Sequence, residues 1–284
     1  MKAASEREIL MAAAAERRES LLEHEAYALL GGFGIPTPPH FFVPLGERAE
    51  ARDLAAIRGA GAVVKIVSPD IAHKSDVGGL RFVKCAASDV SRAIEEMTAE
   101  VRRRAPAAEL RGALVVERLA FDANLPGTEY LASVRLDPAF GPVILFALGG
   151  LLAEWYGRLA SATTRVFLPV DDFDRARALE AIAASPLGEI ALAPSRIHAR
   201  APVDAAALGD MLEGLARLAA ATMAAPPSRR ESGSGASLAE IEINPFAAAD
   251  GRLVALDAIA RLDAPRGEGA TASAASAGAR APRA

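Results

Sequence analysis

The sequence has little that would serve disulfide, membrane or secretory functions. It contains one cysteine, Cys85, among 284 residues, which excludes an intrachain disulfide and a zinc site built from cysteines. Its apolar stretches are interrupted well before the roughly 18 residues that a membrane-spanning helix requires. The N-terminus is charged from Lys2 to Glu8 and has no apolar secretory segment. We therefore expect a cytoplasmic protein without a membrane partner.

Strong charge of either sign is also missing. The formal net charge is −4, and the lysines and arginines are scattered along the chain. Nucleic-acid-binding proteins concentrate positive charge on one surface, so this pattern argues against nucleic acid as the main partner. A chain of 284 residues is long enough for two packed subdomains or for one large domain with a substantial core.

The most informative stretch of the sequence runs from Val63 to Leu80. It begins as a short apolar strand rich in β-branched residues, and Lys65 lies in the middle of that strand. A lysine in a strand suited to burial is costly unless an anion meets its ammonium group. A loop and a second strand follow, and the loop contains Ala72, His73, Lys74, Gly78 and Gly79.

A loop of this composition can cover a phosphate chain, because its backbone amides and its lysine are donors for anionic oxygens. The alternative is a surface hairpin that carries ordinary solvated charge. That alternative is equally good for Lys74 and Asp76 alone, but Lys65 in the preceding strand favours a nucleotide. Lys65 and Lys74 are therefore candidate catalytic cations. His73 could accept a phosphoryl group covalently or could be a hydrogen-bonding loop histidine.

A second set of polar residues lies near the C-terminus. Glu242 and Asn244 alternate in a predicted strand, so their side chains point to the same face. Asp257 ends the strand that pairs with it across the Asp250–Gly251 turn. Two carboxylates and an amide oxygen form a hard oxygen site suited to Mg²⁺ that bridges ATP phosphates. The alternative is a polar strand face, but an Asn-Pro step after apolar alternation is a specific signal.

Helical periodicity and turn signals predict several helices between these strands. We expect helices opened by Ser20, Ser88, Asp171 and Asp204. Ser20 and Glu23 fit a capping box at the first of them, which makes Glu23 a capping residue in this interpretation. Strands and helices together predict an α/β (α+β) protein.

The run K-I-V-S-P-D-I-A-H-K-S-D-V-G-G resembles the signature of the ATP-grasp (β) subunit of nucleoside-diphosphate-forming acyl-CoA synthetases. This group includes the ADP-forming acetate–CoA ligases, which are relatives of succinyl-CoA synthetase. The run L-L-E-H-E-A-Y-A-L-L-G-G-F-G-I-P-T-P is similar to the opening of the same family. The run D-P-A-F-G-P-V-I-L-F with Gly149, Gly150 and Glu154 also resembles it, although Ala147 stands where the family usually has glycine.

The resemblance covers most of residues 20–260 and implies an ATP-grasp fold, in which two α/β subdomains hold a nucleotide between them. It implies an N-terminal ATP-grasp subdomain at 20–119 with the Lys65–Gly79 hairpin and a C-terminal subdomain at 120–263 with the metal site. Composition alone predicts a charged, alanine-rich N-terminal lead-in at 1–19 and a disordered tail at 264–284, which is rich in Ala, Gly, Ser and Arg.

The resemblance also assigns roles to residues. It places the adenine ring against the strand that contains Val116, Glu117 and Leu119, although Glu117 could instead be a strand-end carboxylate in water. The residues expected to contact ATP or ADP are Lys65, Ala72, His73, Lys74, Gly78, Gly79, Val116, Glu117, Leu119 and Glu129. The residues expected to bind Mg²⁺ are Glu242, Asn244 and Asp257.

The reaction implied by the resemblance joins a carboxylic acid and CoA at the expense of ATP, and it gives acyl-CoA, ADP and phosphate through an acyl phosphate and a phosphohistidine. The resemblance covers only the nucleotide half of that machinery. No segment looks like a CoA-binding Rossmann domain with its phosphohistidine loop. We therefore expect a ligase that acts with a CoA-binding, phosphohistidine-bearing alpha-type subunit as its partner.

Three alternatives remain open from the sequence. The first is a stand-alone ATP-grasp ligase that joins a carboxylate to an amine or thiol. The second is a non-catalytic regulatory subunit, since the segments at 120–127 and 155–165 are longer than the family pattern. The third, a plain metabolite-binding module, is the weakest because such a module would not need both the lysines and the metal-binding residues.

Overall fold

The structure, a computed structural model, describes residues 5–59, 61–150, 164–223 and 236–263. Glu154 and the predicted tail at 264–284 lie outside these residues. Two antiparallel sheets, one of four strands and one of six, organise the described part of the chain. Helices pack on both sheets, so the α/β character predicted from the sequence is confirmed.

The smaller sheet has the strand order β1-β4-β2-β3. Its alternating residues separate two faces, because successive side chains in a strand point to opposite sides. Val64 and Ile66 are fully buried against helix α3, together with Ile94 and Met97. Lys65 lies between them and points to the other face. The elements are β1 (His40–Pro44), β2 (Gly61–Val67), β3 (Leu80–Lys84), α3 (Ala87–Arg104) and β4 (Gly112–Glu117).

The larger sheet has the order β10-β8-β5-β6-β7, with β9 paired to β8. Its strands are β5 (Glu129–Asp137), β6 (Gly141–Leu148), β7 (Arg165–Pro169), β8 (Leu238–Ala249), β9 (Arg252–Ala255) and β10 (Ala258–Leu262). Helices α4 (Arg175–Ala183), α5 (Pro186–Ala191) and α6 (Ala205–Thr222) follow β7. Tyr130, Phe146 and Phe246 are fully buried in the core that the sheet shares with Leu212 and Leu215 of α6.

The N-terminal helices pack with the larger sheet. Helices α1 (Glu6–Ala15) and α2 (Glu23–Gly32) bury their apolar side chains in its core, where Tyr27 and Leu30 are at most 1% exposed. That core also contains Val63, Val67, Leu114 and Val116 of the smaller sheet, so α2 packs between the two sheets. The division into 20–119 and 120–263 remains a prediction.

The start of α2 differs from the expected capping box. The helix begins at Glu23 with Leu22 as its N-cap, and the Leu22 amide donates to the Glu25 carboxylate at 2.8 Å. Ser20 instead forms a β-bridge with Arg261. The predicted Ser20–Glu23 capping box is therefore wrong, because the next carboxylate along the helix caps it and leaves Glu23 free to pair elsewhere.

No helix within the described ranges is long and apolar enough to span a membrane.

Candidate functional site

The predicted phosphate loop is a tight turn between β2 and β3. Lys74–Val77 forms one turn of 3₁₀ helix, and Gly78 follows with a φ of 72° in the left-handed region that favours glycine. The Gly79 amide donates to the Lys74 carbonyl at 2.7 Å. A Cβ atom on Gly79 would lie 2.5 Å from Cγ2 of Ile66. Gly78 therefore provides the left-handed turn, and Gly79 lets the loop approach β2 closely.

The loop and the predicted metal-binding residues meet in one cleft. The cleft has a volume of about 370 Å³. One wall is the loop, and the other is formed by the middle of β8, by Asp257 and by the start of β10. Its lining residues are Ala72, His73, Lys74, Ser75, Asp76, Leu80, Glu242, Asn244, Asp257 and Ile259. Two residue sets that the sequence presents far apart thus face the same space.

Lys65 is buried in its strand, as its sequence context predicts, and is only 5% exposed. Its Nζ lies 2.5 Å from Oε1 of Glu23 and 3.3 Å from the Tyr27 hydroxyl oxygen, and it also donates to the Leu256 carbonyl. The anion that the buried lysine requires is therefore a carboxylate of the chain itself. Lys74, not Lys65, forms the cleft wall.

Lys74 connects the loop to two carboxylates of other elements. Its Nζ lies 3.0 Å from Oε2 of Glu23 on α2 and 3.1 Å from Oδ1 of Asp257, which lies between β9 and β10. The Lys74 side chain is 9% exposed and that of Asp257 is 34% exposed. Glu23 therefore lies between two ammonium groups, and the pair of Lys74 and Asp257 lies at the surface of the cleft.

The charges in this network shift one another's pKa values. Burial raises the pKa of Glu23, but the attraction of Lys65 and Lys74 outweighs burial and lowers that pKa to about 2. Burial lowers the pKa of Lys74, yet Glu23 and Asp257 raise it overall. Burial and the negative charge of Glu23 raise the pKa of Asp257. Glu23 is thus the strongly ionised member of the network, and Asp257 is the weaker acid.

Glu23 is the site residue that the sequence prediction missed. Its side chain is 3% exposed, and an unpaired carboxylate is almost never buried to that degree. The spacing of apolar residues in the helix could have indicated its burial, because Ala26, Tyr27 and Leu30 follow at the i+3, i+4 and i+7 positions and are all buried. The same helix face therefore carries Glu23 inward. The predicted capping box instead placed this carboxylate at the backbone of the helix start.

The alternation in β8 orients the predicted metal-binding residues as expected. Ile241 and Ile243 are fully buried, so Glu242 and Asn244 point to the opposite face. The Asn244 side-chain oxygen accepts a hydrogen bond from the Gly150 amide at 3.1 Å. That amide fixes the orientation of the oxygen and leaves it a second lone pair.

The donor set of the cleft fits Mg²⁺. Glu242, Asn244 and Asp257 offer hard oxygen atoms, and Mg²⁺ is usually held by one or two carboxylates, with water and phosphate completing its shell. Within the described residues, no three His, Cys, Asp or Glu side chains form a denser metal-binding group. The set therefore suits a metal that arrives with a nucleotide better than a metal enclosed by protein alone.

The predicted adenine-binding residues lie outside this cleft. Val116 is inside β4, where it pairs with both His40 and Val63. Oε2 of Glu117 accepts a hydrogen bond from the Arg58 amide at 2.6 Å, so this carboxylate closes the loop before β2. Leu119 follows the strand. The contact of these residues with adenine stays a prediction.

Glu129, the last of the predicted nucleotide contacts, lies at the start of β5. Its carboxylate is beside Gly150, where an added Cβ atom would lie 1.7 Å from Oε2 of Glu129. Because the Gly150 amide holds the Asn244 side chain, Glu129 borders the Asn244 end of the site.

A second cavity continues from the cleft along the open face of the larger sheet. It has a volume of about 630 Å³, and Glu242 lines both spaces. Arg135 and Arg165 lie in its wall, together with Phe140 and Phe167, which are 71% and 62% exposed. The site therefore has room beyond the phosphate loop for a further reactant.

Comparison with known proteins gives a consistent result. The ATP-grasp domain family matches residues 12–262 of the chain. The chain is 32% identical over 257 residues to subunit beta of the ADP-forming acetate–CoA ligase I of Pyrococcus furiosus, and the match covers 90% of this chain and 97% of that subunit.

Solved structures of similar fold come from Candidatus Korarchaeum cryptofilum. Its dinucleotide-forming acetyl-coenzyme A synthetase 1, in complex with coenzyme A and Ca-AMPCP, superposes with a TM-score of 0.71 at 30% identity over 91% of this chain and 100% of that one. A second structure of that protein, with coenzyme A and Mg-AMPPCP, has its phosphohistidine segment pointing towards the nucleotide-binding site and superposes with a TM-score of 0.66 at 27% identity over 91% of this chain and 100% of that one.

Proposed function

Since the chain belongs to the ATP-grasp domain family, we propose that it is the nucleotide-binding subunit of an ADP-forming acyl-CoA synthetase. The complete enzyme joins a carboxylic acid to CoA, and ATP becomes ADP and phosphate. The observation that carries the proposal is the shared cleft, in which His73 and Lys74 face Glu242, Asn244 and Asp257. Cationic and hard-oxygen groups around one cavity are the parts that phosphoryl transfer requires.

Lys74 is the cation that meets the phosphates. Its ammonium group lines the cleft and is held by Glu23 and Asp257 at 3.0 and 3.1 Å. A phosphate oxygen in the cleft would gain a charge-assisted hydrogen bond from a donor that is already oriented. Lys65 lies on the other side of Glu23 from the cleft. It neutralises Glu23, so the positive charge of Lys74 remains available to the nucleotide.

Glu242, Asn244 and Asp257 are the residues that would hold Mg²⁺. When bound, this ion neutralises phosphate charge and fixes the orientation of the transferred group. The chain prepares the site in two ways. The Gly150 amide orients the Asn244 oxygen, and the Lys74 ammonium group holds Oδ1 of Asp257 at 3.1 Å.

His73 is the phosphoryl acceptor on the loop. It lies exposed in the cleft wall, one residue before Lys74. In the proposed step, the bond between the γ-phosphorus and the β–γ bridging oxygen of ATP breaks, and a phosphorus–nitrogen bond to the imidazole forms. ADP leaves with the bridging oxygen. The phosphoryl group passes on through the partner's phosphohistidine to the acid, and the CoA thiol then displaces phosphate from the acyl phosphate.

A CoA-binding subunit that carries the phosphohistidine is the proposed partner. The Pyrococcus furiosus relative is named as a beta subunit, which supports the assignment of nucleotide binding and CoA binding to two different subunits. The Korarchaeum structures, which contain coenzyme A and a nucleotide analogue together, support the combination of ligands. We assign the reaction to the cytoplasm, where ATP and CoA are available.

Titration calorimetry of the full chain with ATP tests the nucleotide part of this proposal. We expect binding that strengthens at least tenfold when Mg²⁺ is added, because the ion adds contacts between the phosphates and the cleft carboxylates. A chain that binds neither ATP nor ADP, with or without Mg²⁺, would contradict the proposal.

A further inference from the structure

The phosphate loop is supported from behind by helix α3. The loop itself forms few internal contacts, among them the hydrogen bonds from Gly78 to the Ser75 carbonyl at 3.1 Å and from Gly79 to the Lys74 carbonyl at 2.7 Å. Four residues of 3₁₀ helix contain too few hydrogen bonds to fix such a turn on their own. Side chains outside the loop therefore determine where its residues stand.

Glu100 of α3 lies directly against the turn. A Cβ atom on Gly78 would be 2.7 Å from its carboxylate, so the glycine allows the helix carboxylate to approach the loop backbone. Glu100 accepts a hydrogen bond from Arg81, and its Oε1 lies 2.6 Å from Nη2 of Arg104. The carboxylate thus holds two guanidinium groups at once, and its own side chain is only 20% exposed.

The two arginines connect this carboxylate to the loop carbonyls. Nη1 of Arg81 donates to the carbonyls of Gly78 and Leu80, each at 2.9 Å. Nη1 of Arg104 donates to the Asp76 carbonyl at 3.3 Å. Bonds of this kind, between a charged donor and its acceptor, are about twice as strong as neutral ones. Three carbonyls, those of Asp76, Gly78 and Leu80, are therefore held through one carboxylate.

We propose that Glu100 is a positioning residue for phosphoryl transfer. Through Arg81 and Arg104 it holds the Asp76–Leu80 segment, and that segment sets where Lys74 and His73 stand in the cleft. Without the negative charge, the two guanidinium groups repel each other, and at least one of them loses the carboxylate oxygen that orients it. Glu100 does not line the cleft, so its effect on the nucleotide is exerted through the loop.

The test uses full-length Glu100→Gln, with Glu96→Gln as the matched control on the exposed face of the same helix. The Gln variant keeps the size of the side chain and removes its charge. Amide hydrogen exchange at Gly78 and Gly79 is measured first, because it needs no nucleotide. We expect exchange about tenfold faster in Glu100→Gln than in wild type and no change in Glu96→Gln. Unchanged exchange at both amides would show that Glu100 does not hold the loop in place.

Affinities for Mg-ATP and for adenosine are measured next, since this part of the inference rests on the proposed function. We expect Mg-ATP to bind about tenfold more weakly to Glu100→Gln while adenosine binding stays the same, because only the triphosphate meets the loop. A general structural defect would weaken both ligands. Equal losses of affinity for Mg-ATP and adenosine would overturn the positioning role. Faster amide exchange in the loop together with wild-type Mg-ATP affinity would also overturn it.

A second variant and the wild-type baseline separate the possible failures. Arg81→Met removes the link to Gly78 and Leu80 by another route, so it should reproduce both effects. A Glu100→Gln phenotype that Arg81→Met does not share would contradict the proposed connection. If the wild-type chain binds no Mg-ATP, the proposed function fails and the positioning role fails with it, while the exchange data still decide whether Glu100 holds the loop.

Discussion

Glu23 and Lys74 form an ion pair of 3.0 Å between the first turn of α2 and the loop that follows β2. The pair ties the loop of the smaller sheet to a helix whose buried face shares a core with both sheets. Glu23 also accepts from Lys65 at 2.5 Å. One buried carboxylate therefore fixes both lysines on which the proposed phosphate site depends.

Replacing Glu23 should destabilise the protein strongly. Glu23→Gln leaves Lys65 and Lys74 near each other without their common counter-ion, and removing one partner of a buried ion pair costs about 3–5 kcal/mol. Urea unfolding at neutral pH measures the change in the free energy of unfolding. Glu19→Gln, an exposed carboxylate just before the helix, is the control and should change that free energy by less than about 0.5 kcal/mol.

The stability difference between wild type and Glu23→Gln should depend on pH. The pKa of Glu23 is about 2 in the folded chain against a reference value of 4.5. A lowered folded-state pKa stabilises the protein above the reference value, and this contribution is lost as the pH falls towards the folded-state pKa. The difference should therefore be constant above about pH 5 and shrink below pH 4.5. A difference that grows as the pH falls would contradict the ion-pair assignment.

The metal assignment predicts a selective loss. Asn244→Ala and Asp257→Asn should weaken Mg-ATP binding by about tenfold or more and metal-free ATP binding much less, since each variant removes one oxygen ligand. Titration calorimetry with and without Mg²⁺ measures both affinities. Glu240→Gln, on the same strand face as Glu242, is the control. If the variants lose affinity equally in both conditions, these residues do not bind the metal.

The two lysines should matter to different degrees for binding. Lys74→Met removes the ammonium group that lines the cleft, so both ATP affinity and the phosphoryl-transfer rate should fall, the rate by about 10³-fold. Lys65→Met should lower the rate similarly with a smaller loss of affinity, because Lys65 acts from behind Glu23. Lys84→Met on exposed β3 is the control. If the assembled enzyme with Lys65→Met keeps near-normal turnover, Lys65 has a structural role and no role in phosphoryl transfer.

The covalent role of His73 can be tested by labelling. With γ-labelled ATP, Mg²⁺ and the partner subunit, the chain should acquire an acid-labile, base-stable phosphoryl group on His73. His73→Asn should abolish this label and His198→Asn should retain it, because His198 lies away from the cleft and contacts the Pro126 carbonyl at 2.6 Å. Normal turnover by His73→Asn in the assembled enzyme would exclude the histidine as an intermediate carrier.

Local patterns predicted the parts of this fold that local forces determine. The alternation in β8 placed Glu242 and Asn244 on one face, and Asp204 caps α6 as expected. Helix starts were less accurate, because α3 begins at Ala87 without a side-chain cap and α4 begins after Asp174. An N-cap side chain stabilises a helix by only about 1 kcal/mol, so tertiary packing can shift the residue at which the helix begins.

Long-range pairing could not be predicted in the same way. The sequence showed that buried Lys65 needs an anion, but nothing in its spacing identified Glu23, which lies on another element. The carboxylate that meets Lys65 is placed there by the tertiary fold, and the contact of Lys65 with a phosphate stays a prediction. The contact between Glu100 and the loop could not be predicted from the sequence either, because Gly78 and Glu100 meet only when α3 packs behind the loop.

The most direct test of the account is the nucleotide product that the chain forms with its partner. The purified chain is incubated with ATP, Mg²⁺, CoA and a panel of carboxylic acids, with and without the CoA-binding subunit, and acyl-CoA, ADP and AMP are quantified. We expect no acyl-CoA from the chain alone, and equal amounts of acyl-CoA and ADP without AMP once the partner is added. Acyl-CoA formed by the chain alone, AMP as the product, or no ATP consumption with the partner present would each contradict it.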